Sequence, residues 1–295
     1  MTRTDRRLQK VYDRSKIIRF DQNSKFVIMS DCHRGQGNNS DNFLQNQHLF
    51  FGALEHYYNG GFTYIELGDG DELWENRDMT QIIDAHSDAF WLMSRFYGDK
   101  RFYMIYGNHD VVKNRRSFAK KYCYKYYCEA ENCCMPLFPG MQIYEGLILE
   151  NPDGKRIFLT HGHQASFLND TLWPLARFLV RYLWRPLELV GFLAPTGSGR
   201  PSAKKEKIEQ KLAGFANDNR EIMIAGHTHR PVFPMPKEGF YFNDGSCVHP
   251  RCITALEIEN GAITLVKWCV ATKEDRTLFV DRQVLEGPVP IAQYV

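Results

Sequence analysis

KFVIMSDCH, residues 25–33, contains the pattern from which the fold can be predicted. Its apolar part, residues 25–30, predicts a short buried strand that ends where the polar residues Asp31 and His33 begin. The same pattern occurs four more times along the chain. Apolar runs at 62–67, 101–106, 155–160 and 221–225 lead into Gly68-Asp69, Gly107-Asn108-His109-Asp110, His161 and Gly226-His227-Thr228-His229.

Helix-like segments separate the first three predicted strands. Residues 41–59 and 79–97 place apolar side chains at steps of three and four. Strands that alternate with helices predict an α/β sheet, in which ligands collect at the carboxyl ends of the strands. The chain is strand-rich from residue 240 onward, which favours a second sheet that closes the fold. We therefore expect an α/β protein, a two-sheet sandwich flanked by helices. The predicted strands of the tail are 240–243, 252–259, 262–270 and 277–281.

Length and charge limit the remaining possibilities. The 295 residues suit a single domain, 1–295, that carries an insertion at 166–216. The formal net charge of +2 favours no particular partner, and no specific nucleic acid is expected. Residues 1–25 nevertheless hold eight Lys or Arg against three Asp. This basic segment is either a solvated amphipathic helix on the domain edge or a contact for phosphate, nucleic acid or an anionic membrane. No secretory signal is visible, so we expect a cytoplasmic protein.

The five polar motifs share one physical logic. Two residues spaced i, i+2 at a strand end point the same way, so D-x-H and H-x-H can each direct two ligands at one site. Two divalent ions held about 3.5–4 Å apart can clamp the attacking and leaving oxygens of a phosphoryl displacement. Each motif by itself is common by chance, but the occurrence of all five in this order is a specific signal for such a site.

In this combination the chain resembles the calcineurin-like metallophosphoesterases from residue 26 to about residue 250. The resemblance implies two divalent metal ions, with manganese preferred and iron, zinc or cobalt as alternatives. It also implies that a metal-bound water or hydroxide attacks phosphorus. The implied ligands are Asp31, His33 and His229 for the first metal, Asn108, His161 and His227 for the second, and Asp69 as the bridge between them.

Three further residues are predicted to act on the substrate. By the same resemblance, His109 protonates or stabilises the leaving oxygen, and Glu72 orients it, with Asp71 as the less favoured substitute. Alternatively, His109 only supports Asn108 by a hydrogen bond. Arg34 follows His33 directly and could contact a phosphate oxygen. Weaker candidates for that contact are Arg115, Arg116 and Arg251.

The insertion at 166–216 predicts a helical cap. Within 172–192, apolar residues fall at helical spacing, and Arg177, Arg181 and Arg185 recur on another face. This pattern is typical of an amphipathic helix at a membrane surface. A lid packed on its own core and an oligomer contact are equally open alternatives. The insertion is similar to that of UDP-2,3-diacylglucosamine pyrophosphohydrolases, but those enzymes carry Arg where His109 stands here.

These observations predict a hydrolase of phosphoesters or pyrophosphates. The expected substrate is a phosphorylated small molecule, lipid-linked or nucleotide-like. The protein would be cytoplasmic, with a peripheral membrane contact through 172–192. Two alternatives are a protein serine/threonine phosphatase and a non-catalytic scaffold on the same fold. A lid over the metals argues against the first, and the complete ligand set argues against the second.

Overall fold

The computed structural model describes residues 1–128, 132–184, 186 and 203–294. The helices are α1 (Arg3–Tyr12), α2 (Gln47–Asn59), α3 (Met79–Ala85), α4 (Ser87–Gly98), α5 (Arg116–Tyr122), α6 (Phe167–Asp170), α7 (Trp173–Leu179) and α8 (Ala203–Asn219). Short 3-10 turns occupy Leu44–Asn46, Val111–Asn114, His163–Ala165 and Ile291–Gln293, and Val180–Trp184 forms a π-helical turn.

The strands form two large sheets and a hairpin. They are β1 (Lys16–Arg19), β2 (Phe26–Met29), β3 (Thr63–Leu67), β4 (Phe102–Ile105), β5 (Lys125–Cys128), β6 (Cys133–Pro136), β7 (Ile143–Tyr144), β8 (Gly146–Glu150), β9 (Arg156–Thr160), β10 (Ile222–Ala225), β11 (Tyr241–Asn243), β12 (Cys252–Glu259), β13 (Ala262–Thr272) and β14 (Leu278–Pro290). The seven-stranded sheet has the order β14-β13-β12-β2-β3-β4-β7, and the five-stranded sheet the order β1-β8-β9-β10-β11. Strands β5 and β6 pair with each other.

Three apolar clusters hold four layers together. One lies between the sheets and includes Ile28 and Ile65 from one sheet and Leu159 and Ile224 from the other. A second packs α2 and α4 on the outer face of the seven-stranded sheet. The third packs α1 and α8 on the five-stranded sheet. The predicted two-sheet sandwich flanked by helices is therefore confirmed.

The membership of the second sheet differs from the prediction. Most of the strand-rich tail extends the first sheet, because β12 pairs antiparallel with β2 and places Leu256 opposite Ile28. The second sheet is built from β1, β8, β9 and β10, and the tail contributes only β11. Antiparallel addition is open to strands that follow one another through tight turns, and β12, β13 and β14 form such a meander.

The N-terminal basic segment begins as a helix packed on the domain. Leu8 and Val11 of α1 are buried in the cluster that also contains Ile148 and Phe158. The solvated amphipathic helix expected at the domain edge is therefore present.

The predicted cap is described only in part. Helices α6 and α7, the π turn and α8 fall within 166–216, whereas residues 185 and 187–202 lie outside the described residues. Arg185 and most of the second half of 172–192 are among them. The cap boundaries therefore stay a prediction. In the described part of the chain, no helix has the length and apolar character needed to cross a bilayer.

Candidate metal centre

The predicted ligand residues meet at the carboxyl ends of five strands. Asp31 and His33 follow β2, Asp69 follows β3, and Asn108 follows β4; on the second sheet His161 follows β9, while His227 and His229 follow β10. Parallel pairing of β2 and β3 continues past their ends, since the Asp31 and His33 amides donate to the carbonyls of Gly68 and Asp69 at 3.0 and 2.9 Å. This fixes the two loops side by side.

Five of these residues adopt a left-handed backbone conformation that residues other than glycine seldom adopt. The φ angles are 52° at Asp31, 49° at His33, 49° at Asp69, 66° at His227 and 57° at His229. Such conformations cost of order 1–3 kcal/mol each and cluster at functional sites. Their concentration here is independent evidence that this edge of the sheets has a function.

Two glycines are required by close packing against the acidic residues. A Cβ on Gly107 would lie 2.2 Å from Asp69 Oδ1, and one on Gly226 would lie 2.7 Å from Asp31 Oδ2. Both distances are shorter than atoms can approach. Glycine before Asn108 and before His227 is therefore needed for the neighbouring loops to converge.

Asp31, His33 and His229 form the first potential ligand cluster. His229 Nε2 lies 3.0 Å from Asp31 Oδ1 and 3.3 Å from His33 Nε2. The other oxygen of Asp31 accepts hydrogen bonds from the Ser30 hydroxyl at 2.6 Å and from the His227 amide at 2.8 Å. These two donors turn Oδ1 toward the histidines.

Asp69, His161 and His227 form a second cluster, and Asp69 also belongs to a third with His33 and His109. Asp69 Oδ2 lies 3.1 Å from His161 Nε2 and 3.9 Å from His33 Nε2. Its Oδ1 accepts the His109 amide at 2.8 Å. The carboxylate of Asp69 thus stands between the two histidine groups.

Several buried polar atoms at this edge of the sheets form no hydrogen bond, and a bound cation would satisfy them. Asp31 Oδ1, Asn108 Oδ1 and His161 Nε2 are all buried and form none. His161 Nδ1 lies 2.9 Å from the Leu67 carbonyl, so Nδ1 carries a proton and Nε2 is the nitrogen that faces Asp69. A carboxylate oxygen 3.1 Å from Nε2 requires positive charge there, supplied by a proton on Nε2 or by a bound cation. The donor set of imidazole, carboxylate and amide oxygen fits a divalent metal.

The pKa shifts indicate the same demand for positive charge. Burial alone would raise the pKa of Asp31, but His229 and His161 outweigh it and hold the pKa well below its usual value. Burial opposes a charge on His161, yet Asp69 and Asp31 raise its pKa to about 9. Burial and the repulsion of His161 lower the pKa of His227 to about 3. The site therefore stabilises two carboxylates together with at least one cation.

His109 stands beside the clusters, held by Glu72 and Trp74. Its Nδ1 lies 2.7 Å from Glu72 Oε2, and its ring stacks on Trp74 at 4.2 Å between centroids with an interplanar angle of 22°. The same Glu72 oxygen lies 2.9 Å from His33 Nδ1. Burial would raise the pKa of Glu72, but His109 and His33 lower it to about 2. Glu72 is thus an ionised contact shared by a predicted ligand and the predicted leaving-group histidine.

The structure contradicts the substrate role predicted for Arg34. Its side chain is fully buried, and its guanidinium donates to Asp71 at 2.8 Å and to Glu66 at 2.7 Å. The reason is backbone pairing, since Arg34 bridges Asp71 beyond the ends of β2 and β3 and its side chain is held beside the buried carboxylates. Asp71, the less favoured partner for His109, is committed to this ion pair. Arg115, Arg116 and Arg251 are exposed, and their contact with phosphate stays a prediction.

Lys113 completes a buried ion cluster beneath the loops, which the sequence did not reveal. Its ammonium lies 2.6 Å from Asp71 Oδ2 and 2.7 Å from Asp110 Oδ2. Asp110 in turn accepts the amides of Gly107 at 2.6 Å and Gly70 at 3.2 Å. Asp110, the last residue of the third motif, thereby ties the loop after β3 to the loop after β4.

The described part of the cap contacts the loop that carries Glu72. Arg181 donates to the carbonyls of Trp74 at 2.7 Å, Leu73 at 2.9 Å and Asn76 at 3.2 Å. At the start of the cap, Asn169 Nδ2 lies 3.1 Å from His227 Nε2. The cap therefore touches both the loop that holds His109 and a histidine of the second potential ligand cluster.

Comparison with known proteins places the chain in a family. The model of the calcineurin-like phosphoesterase family matches residues 24–231, and the chain belongs to that family of metal-dependent phosphoesterases. A search of curated proteins gives no match. Among solved structures, Vps29 of Chaetomium thermophilum is similar, with 11% identity, a TM-score of 0.41, and coverage of 88% of this chain and 96% of that one. At this distance the likeness carries no argument about function.

Proposed function

We propose that the protein is a dinuclear hydrolase of phosphoesters or pyrophosphates in a small or lipid-like molecule. The position of Asp69, between His161 on one side and His33 on the other, is the observation that carries the proposal. A single carboxylate within reach of two ligand sets is what a pair of neighbouring cations needs. The buried atoms without hydrogen bonds support it further.

In this proposal, Asp31, His33 and His229 would hold one metal, Asn108, His161 and His227 would hold the other, and Asp69 would serve both. Manganese is the first choice, with iron, zinc or cobalt as alternatives. When bound, the ions supply Lewis acidity and an activated water at the phosphorus atom. The remaining steps belong to the side chains of the protein.

His109 is the proposed general acid for the leaving oxygen. Glu72 is buried and ionised, so it favours a proton on the Nδ1 of His109 that faces it. The stacked Trp74 limits rotation of the ring. The opposite nitrogen, Nε2, then has a fixed direction in which to deliver a proton to a leaving alkoxide.

The cap favours a small or lipid-like substrate over a phosphoprotein. Its contacts to the loop of Trp74 and to His227 place helical structure on two sides of the site. A flat protein surface could reach the site only if these contacts opened. A phosphorylated small molecule, nucleotide-like or lipid-linked, needs no such opening.

A leaving-group series tests this proposal. We expect wild-type protein to hold two metals and to turn over members of a panel of phosphomonoesters, diesters and pyrophosphates. His109→Ala should keep both metals and lose turnover by about 10²–10⁴-fold on alkyl esters, with a smaller loss on p-nitrophenyl esters. The exposed His48 gives the control His48→Ala, which should match wild type. Equal losses across the series would remove the general-acid role, and loss of one metal would make His109 a ligand.

A further inference from the structure

The cap presents an apolar surface outward. Eight large apolar side chains in residues 167–183 are between 37% and 61% exposed. Contiguous exposed apolar surface of this kind marks a contact site for another molecule. The residues are Phe167, Leu168, Leu172, Leu175, Phe178, Leu179, Tyr182 and Leu183.

The orientation of the cap explains this exposure. Leu175, Phe178 and Tyr182 recur at steps of three and four, the stripe that an amphipathic helix normally turns toward its core. Here Ala176 is buried instead, and Arg181 donates to the loop of residues 73–76. The Tyr182 hydroxyl also accepts a hydrogen bond from Arg77 at 2.5 Å. These polar contacts leave Leu175 and Phe178 more than half exposed.

The basic helix α1 adjoins this apolar surface. The Arg3 guanidinium lies 4.1 Å above the Phe167 ring and donates to Thr171 Oγ1 at 2.6 Å. Arg7 pairs with Asp170 at 3.0 Å. Arg3, Arg6 and Lys10 are exposed and recur at steps of three and four, and so form one basic stripe along α1.

We propose that this joint surface, the apolar stripe of the cap and the basic stripe of α1, binds the surface of an anionic lipid bilayer. The inference goes beyond the proposed hydrolase function and does not rest on it. An apolar stripe beside arginine and lysine is the composition of interfacial helices, in which each basic residue near anionic lipid contributes about 1 kcal/mol. A second copy of the chain is a poorer occupant, because a two-fold contact would bring the same basic stripe of each copy toward the other.

Vesicle co-sedimentation tests the proposal with full-length protein. We expect binding to phosphatidylcholine vesicles that contain phosphatidylglycerol, weak binding to pure phosphatidylcholine, and a loss of binding as salt is raised. The double variant Arg6→Gln/Lys10→Gln should weaken binding to the anionic vesicles by about 25-fold, since each charge is worth about fivefold. Arg6 and Lys10 are exposed residues of α1.

A matched pair of variants tests the apolar part. Phe178 of the cap and Val270 of β13 are both 56% exposed. Phe178→Ser should weaken vesicle binding by about tenfold, as expected for loss of an aromatic side chain from an apolar contact. Val270→Ser should bind as wild type does. Because both side chains are exposed, neither variant should disturb folding.

Three results would overturn the proposal. The first is wild-type protein that fails to sediment with anionic vesicles, and the second is Phe178→Ser that binds no more weakly than Val270→Ser. Alternatively, light scattering could show a dimer that Phe178→Ser dissociates, without any vesicle binding, which would make the surface a contact between copies. Sedimentation requires no turnover, so failure here is distinct from failure of the hydrolase proposal, which a water-soluble p-nitrophenyl ester tests separately.

Discussion

Replacing Lys113 with methionine should destabilise the protein by about 3 kcal/mol at neutral pH. The Lys113 side chain is 1% exposed and faces Asp71 at 2.6 Å, Asp110 at 2.7 Å and Glu66 at 3.7 Å. Without its ammonium, Asp71 and Glu66 would keep only the guanidinium of Arg34, and Asp110 would lose its ion pair. Breaking a buried ion pair costs about 3–5 kcal/mol, because the remaining charge is left without compensation.

Two features place the effect near the lower end of that range. Methionine keeps roughly the volume of the lysine stem, so the cavity contribution is small. Burial already raises the pKa of Asp110, against the opposing attraction of Lys113, so this carboxyl group can take up a proton when the lysine is removed. Protonation relieves the repulsion but replaces an acceptor oxygen that serves the amides of Gly107 and Gly70.

Urea unfolding of the metal-free protein measures this loss, since chelation removes the contribution of ligand binding. Lys120→Met, at an exposed lysine of α5, is the control and should change stability by less than about 0.5 kcal/mol. A loss below about 1 kcal/mol for Lys113→Met, with an unchanged m-value, would refute the argument that the cluster supports the two loops.

Two further outcomes follow from the site. Asp69→Asn should lose both metals and all activity, whereas Asn108→Ala should lose mainly one metal. Elemental analysis measures the metal content of each variant. Full metal content in Asp69→Asn would contradict the role of Asp69 as the bridge. Acid should weaken the fold through Asp71: burial raises its pKa, but Arg34 and Lys113 lower it to about 2 from the usual 3.8. Its stabilisation, about 2 kcal/mol, is therefore present above pH 4 and lost as pH falls toward 2. Urea midpoints of wild type and Asp71→Asn should converge over that interval, and a constant gap would contradict this.

The strands that carry the site were predictable from the sequence alone. Each is a short apolar run that ends at a glycine or a polar residue, and β12 even has the predicted bounds. The convergence of Asp31, Asp69 and His161 follows from this, because carboxyl ends of parallel strands share an edge. Which sheet the strand-rich tail joins was not predictable. The apolar pattern of β12 suits either sheet, and only its pairing with β2 decides between them.

The side-chain partners of the site were harder to predict than its backbone. Arg34 stands next to a ligand in sequence, but its direction depends on which face of the segment it occupies. Glu72 was expected to serve His109 alone, and in the structure it also contacts His33. The Lys113 cluster joins residues from three separate segments. A sequence carries no signal that charged residues so far apart along the chain are buried together in the fold.

The three hydrogen bonds of Arg181 constrain how this protein could change over evolution. An insertion is usually free to be lost, lengthened or exchanged, because it returns to the domain at a single place. Here its arginine satisfies the carbonyls of Leu73, Trp74 and Asn76, within the turn that places Glu72 and stacks against His109. A cap exchanged for that of a relative would leave those carbonyls without a donor, unless the new segment brought an arginine to the same place. The cap and this turn should therefore be inherited together. A chimaera that combines the cap of one parent with the turn of another should lose activity, and activity should return when both segments come from the same parent.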